Sequence, residues 1–174
     1  MAFTFLKSLG HGVGRSLLEP DRVEAARAVL DKARARGIPV RLPVDVVVAS
    51  GLDATTGIRT VGIREIPDDL MGLDIGSASV TQFATALKGA RTIVWNGPMG
   101  VFEKEPFAAG TVGVARAVAD SGAFSVIGGG DTIAAVQKAG VTDKIGYVST
   151  AGGAFLEFLE GRVLPGVAAL DDAA

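Results

Sequence analysis

Apolar positions recur at two different spacings along the chain. Between Glu19 and Gly37, Val23, Ala26, Leu30 and Ala33 return every three or four residues with charges between them, which predicts an amphipathic helix. Pro20 and Asp21 suit its first turn, Lys32, Arg34 and Arg36 lie near the negative end of its dipole, and Gly37 suits its stop. From 40 to 49 the pattern changes. Val44, Val46, Val47 and Val48 form a strand with little alternation, as expected for burial on both faces of a parallel sheet covered by helices. Thr56-Gly57 predicts a hairpin turn between two short strands within "ATTGIRTVGI". "SASVTQFATALKGA" predicts a helix capped by Ser77 or Ser79 and stopped near Gly89.

Beyond Gly89 a rhythm sets in. "TIVW" leads into "NGPMGVFEKEP" and a helix from about 106 to 120; "FSVI" leads into "GGGDT" and a helix to about 139; "YVS" leads into "TAGGA" and a helix to about 159. Three strand–glycine-loop–helix repeats in series predict an α/β fold built on a parallel sheet. The loops leaving the carboxyl ends of such strands lie on one edge, where ligands bind, so these three are expected to line one cleft. No linker, repeat or low-complexity segment divides the chain.

Composition narrows the function classes. The chain has 174 residues, 48% of them hydrophobic and 21% charged, enough to bury a core. A net charge of -2 argues against a sequence-independent grip on nucleic acid. With no cysteine there is no disulfide or thiolate chemistry, and with His11 as the only histidine a zinc site is not expected. No apolar run reaches the ~18 residues of a membrane helix, and "MAFTFLKSLGHG" lacks the pattern of a secretory signal, so the expectation is a cytoplasmic chain.

The glycine loops carry the candidate chemistry. In "GGGDT" (128–132) glycines let the backbone approach a ligand, and the following helix start offers unpartnered N–H groups to an anion. Thr132 adds a hydroxyl. Asp131 beside a phosphate makes sense only with an intervening cation, and Mg²⁺ commonly binds one or two carboxylates plus substrate phosphates. A flexible turn with an Asp or Thr N-cap explains this pentapeptide equally well. In "WNGPMGVFE" (95–103) turn chemistry suffices, although Pro98, Met99, Val101 and Phe102 can wall a flat base and Glu103 can accept from a ribose diol. "STAGGAFLEFLEG" (149–161) reads as a capped helix start with Phe155, Phe158 and Leu159 against the sheet, or as a second anion-binding N-terminus. A P-loop and a GxSxG elbow are absent, and Ile133 stands where a dinucleotide fingerprint needs its third glycine.

Taken together and in order, "MAFTFLK", "LPVDVVVA", "MGLDIG", "VWNGPMGVFE", "GGGDT", "STAGGAFLEFLEG" and "LPGVAAL" resemble the phosphoglycerate kinase family across essentially all of the chain. The resemblance implies a doubly wound, Rossmann-like parallel sheet with helices on both faces, truncated on its N-terminal side. Residues 1–174 then form an incomplete C-terminal nucleotide-binding domain of a two-domain, monomeric glycolytic kinase. By the same resemblance Asp131 holds Mg²⁺, and Gly129, Gly130 and Thr132 contact the phosphates of ATP or ADP. Glu103 binds the ribose, Asn96 lies near the phosphates, and Pro98 and Val101 lie nearer the nucleoside. Gly72 and Leu73 border the adenine. The N–H groups of Gly130, Gly152 and Gly153 point toward the transferring phosphoryl group.

Two residues depart from the family pattern: Ala151 stands where a glycine is usual, and Ser77 where a proline is usual. The resemblance further implies a strand with a Gly-Gly-Gly run and a lysine upstream of Met1, and a separate phosphoglycerate-binding domain with an arginine. Without them the 174 residues are expected to show no kinase turnover, since phosphoryl transfer rests on positioning and charge stabilisation. A non-catalytic nucleotide-binding or interaction module is the alternative class. A dinucleotide-dependent oxidoreductase is a third.

Overall fold

The computed structural model describes residues 1–171. It is a mixed α/β structure in two compact units that interleave in sequence. The first comprises Met1–Ala86 and Met99–Val114; the second comprises Leu87–Pro98 and the chain from Ala115 onward.

The first unit opens with α1 (Ala2–Ser8), a 3₁₀ turn at Pro20–Arg22 and α2 (Val23–Ala35). The predicted helix is thus present, with Pro20 and Asp21 in a tighter first turn and Gly37 at φ 65° just beyond its end. Strands β1 (Asp45–Ala49), β2 (Arg59–Gly62) and β3 (Met71–Ile75) form a sheet in the order β2-β1-β3, with both pairings antiparallel. This corrects the parallel partnership expected for the valine run. β1 is buried on both faces because it is the central strand: Val46 and Val48 pack with Ile66, Leu70 and Phe3, while Val47 and Ala49 pack with Leu73 and Phe107. Two-faced burial, not strand direction, is what the apolar run records. The predicted hairpin is also corrected. Only one strand, β2, lies in that segment, and it returns against β1 after a connection that contains Gly57. The helix predicted in this region is present as α3 (Ser77–Leu87), and it follows β3.

The second unit holds the parallel sheet β4 (Thr92–Asn96), β5 (Phe124–Gly128) and β6 (Tyr147–Ser149), in that order. In the chain, α4 (Ala109–Ala119) connects β4 to β5, and α5 (Gly130–Ala139) connects β5 to β6. Helices α6 (Gly153–Leu159) and α7 (Pro165–Asp171) complete the described residues. Parallel register places Asn96, Gly128 and Ser149 side by side, so the loops after all three strands leave one edge of this sheet. Of the aromatic and aliphatic contacts expected from α6, Phe155 is present: its ring lies where a Cβ on Gly128 would sit. Phe158 and Leu159 instead stay 67% and 53% exposed, because a seven-residue helix turns only one side toward the sheet.

Candidate functional site

The helix N-termini fall into two kinds. In the first unit, carboxylates on the strands satisfy the starts of α3 and α4, while no side chain caps α1 or α2. Asp45 on β1 accepts the N–H groups of Ala78 at 3.0 Å and Ser79 at 2.8 Å, which caps α3 from outside. The expected caps, Ser77 and Ser79, do not play that part; the Ser79 hydroxyl instead accepts from the Val44 N–H and donates to Asp45. Asp74 on β3 accepts the Gly110 N–H at 2.7 Å and so caps α4. Burial pushes the Asp74 carboxyl up to about 6, against the pull of the Gly110 and Ile75 N–H groups.

In the second unit no side chain caps α5 or α6. The N-cap of α5 is Gly129, whose φ of 89° lies in the region that favours glycine. The alternative of an Asp or Thr N-cap at this turn is therefore not what the structure adopts. Gly130 and Asp131 are exposed, and among the described residues nothing pairs with their N–H groups or with the Asp131 carboxylate. An open helix start with a free carboxylate in its first turn suits an anion and a hard cation together. Among the described residues no cluster of three or more acidic or histidine side chains could hold a metal by itself. A divalent cation at Asp131 would need further oxygen ligands, such as those of a bound phosphate. Gly152, at φ 56°, and Gly153 form the exposed start of α6 on the same sheet edge.

The 95–98 loop is tied to the "GGGDT" turn within this unit. Asn96 Nδ2 donates to the Gly128 carbonyl at 2.8 Å, and the Gly97 N–H donates to the Thr132 hydroxyl at 2.7 Å. Trp95 Nε1 donates to the Gly97 carbonyl at 2.7 Å, and Pro98 follows, half-buried. The unit thus brings together Asn96, Pro98, Gly129, Gly130, Asp131 and Thr132. Thr132 is 0% exposed, so its hydroxyl serves the loop rather than the surface.

The remaining predicted residues belong to the first unit. Gly72 is buried beneath the Phe3 ring, which occupies the space of its missing Cβ, and its N–H donates to Ser16 Oγ at 2.9 Å. Leu73 is buried against Phe107 and half-buried Val101, and its carbonyl accepts the Val101 N–H at 2.8 Å. Glu103 is exposed. Local sequence patterns did not single out Phe3, Ser16, Asp45, Asp74 or Thr111, which hold these segments in place. Glycines at 72, 76, 100 and 110 were the available signal, since each leaves room for one of these side chains or its neighbours.

Comparison with known proteins finds similar chains in one family. The family model described as phosphoglycerate kinase matches residues 1–162. A phosphoglycerate kinase of Synechococcus sp. (strain JA-3-3Ab) is 54% identical over 99% of this chain and 43% of its own length. That of Pelobacter propionicus is 55% identical over 98% of this chain and 43% of its own. The solved phosphoglycerate kinase of Coxiella burnetii superposes with a TM-score of 0.95 at 45% identity, covering 99% of this chain and 44% of that one. For the enzyme of Pyrococcus horikoshii the TM-score is 0.83 at 39% identity, over 98% and 43% of the two chains. The chain therefore spans less than half the length of the relatives it matches.

Proposed function

The chain belongs to the phosphoglycerate kinase family, and from that membership we propose that it is the Mg-ATP/Mg-ADP-binding portion of an enzyme moving a phosphoryl group between 1,3-bisphosphoglycerate and ADP. The observation that carries this reading is the uncapped start of α5, with the unpaired Asp131 carboxylate beside it. The N–H groups of Gly129 and Gly130 receive phosphate oxygens, and Asp131 holds the Mg²⁺. Bound there, the ion neutralises phosphate charge and fixes the phosphate chain. Asn96 and Thr132 set the loop beside the phosphates, Thr132 through Gly97 rather than through an exposed hydroxyl. Pro98 and Val101 serve the nucleoside, Glu103 the ribose diol, and Gly72 and Leu73 the adenine. The N–H groups of Gly130, Gly152 and Gly153 stabilise the transferring group, whose charge grows on its equatorial oxygens.

The phosphoglycerate site belongs to the length of such an enzyme that this chain does not span, so these 174 residues alone turn over no substrate. The location is cytoplasmic, the compartment of glycolysis. Isothermal titration with Mg-ADP and with NADH tests the nucleotide assignment. Heat from Mg-ADP in the micromolar range or weaker, with none from NADH, is the expected result. Binding of NADH without binding of Mg-ADP would replace this reading with the oxidoreductase one.

A further inference from the structure

The segment Met99–Val101 is held in the first unit by Thr111, which lies outside the predicted site, and by the Leu73 carbonyl. The Thr111 hydroxyl oxygen accepts two backbone N–H groups, those of Met99 and Gly100, each at 3.1 Å. Both lone pairs of that oxygen are thereby used. Thr111 is 0% exposed and is the third residue of α4. The next N–H, that of Val101, goes to the Leu73 carbonyl at 2.8 Å. Gly100 and Gly110 both pack directly on the Asp74 carboxylate, each where a Cβ would collide with it. Three consecutive loop N–H groups are therefore fixed, and the loop can sit this close to β3 only because Gly100 has no side chain.

We propose that Thr111 is a positioning residue for the nucleoside wall: its buried hydroxyl sets the backbone of Met99–Val101 in the conformation that receives the nucleotide. This rests on the nucleotide assignment made above. Thr111 touches no ligand itself; it acts through the two amides it accepts. A hydroxyl at this position is required, and the methyl group is not. Serine keeps the acceptor, whereas valine matches the shape and removes it, leaving two N–H groups without partners.

Amide hydrogen exchange and Mg-ADP titration on the wild-type chain, Thr111→Val and Thr111→Ser test the assignment. In Thr111→Val, exchange at Met99 and Gly100 speeds up while the β1 amides keep their protection, and Mg-ADP affinity falls about tenfold, the worth of one or two hydrogen bonds. Thr111→Ser restores both readouts. Unchanged exchange at Met99 and Gly100 in Thr111→Val overturns the proposal. So does faster exchange with unchanged affinity, or a serine variant as impaired as the valine one. If Thr111→Val unfolds, as β1 exchange would reveal, the serine variant decides: wild-type exchange and affinity support the hydroxyl role, and loss of either refutes it. A wild-type chain that binds no Mg-ADP overturns the nucleotide assignment and this positioning role with it, whereas positioning alone fails when wild-type binding is intact.

Discussion

The hydroxyl oxygen of Thr132, fully buried at the third residue of α5, accepts the Gly97 N–H at 2.7 Å. Together with the Asn96 amide on the Gly128 carbonyl, it joins the loop after β4 to the turn after β5. Replacing Thr132 by valine keeps the volume and strands the Gly97 donor, at a cost of about 1–2 kcal/mol. Thr132→Ser keeps the acceptor and loses only a methyl group, so it costs about half as much. Urea denaturation of the two variants reads the difference. Equal losses would mean that packing, not the hydrogen bond, holds the loop.

Asp131 is expected to act only through a cation. In the wild-type chain ADP binds more tightly with Mg²⁺ than without it. In Asp131→Asn that advantage shrinks about tenfold or more, while metal-free ADP binds as well as before or better, since a negative charge beside the phosphates has gone. Titrations with and without excess chelator measure both numbers. An undiminished Mg²⁺ dependence in the variant would place the ion elsewhere.

Asp74 makes stability depend on pH in the direction opposite to that of a salt-bridged carboxylate. Its carboxyl titrates near 6 when folded and near 3.8 when unfolded. Between those values the folded chain binds more protons, so the stability contributed by this group is full below about pH 4 and is lost as pH rises through 6. The loss amounts to no more than about 3 kcal/mol. Comparing urea midpoints of wild type and Asp74→Asn from pH 4 to 7 isolates it, because the other carboxylates titrate in both proteins. Wild type should lose stability relative to the variant as pH rises; parallel curves would contradict the assignment.

Much of this was legible in the sequence where the signal is local. The spacing of Val23, Ala26, Leu30 and Ala33 marks α2, and the three strand–glycine–helix repeats mark the parallel sheet with its loops on one edge. What escaped is long-range. The valine run of β1 reports burial on two faces and is silent about strand direction, so its antiparallel partners could not be read from it. β3 went unrecognised because "MGLDI" carries a glycine and an aspartate, both poor strand formers. That same aspartate caps a helix 36 residues away, a contact no local pattern encodes. At the candidate site Asp131 and its glycines were visible as chemistry. The burial of Thr132 was not, since a threonine in a helix first turn looks the same whether it faces solvent or a neighbouring loop.

The parallel sheet also predicts how the isolated chain behaves. Val94, Val126 and Tyr147 stand side by side in register across β4, β5 and β6, so they share one face of the sheet. Val94 is 50% exposed and Tyr147 58%, and Phe124 at the start of β5 is similarly open. β4 pairs only with β5 among the described residues, which leaves its other edge without a strand partner. An apolar row beside an open strand edge favours pairing with another chain. The 174-residue chain should therefore associate as its concentration rises, and sedimentation velocity over a tenfold range would show the growth. Val94→Lys with Tyr147→Lys puts like charges on that face without touching the loops. The double variant should sediment as a monomer with an unchanged circular dichroism spectrum. Wild type that stays monomeric throughout, or a variant that associates equally, would show that this face is not what drives assembly.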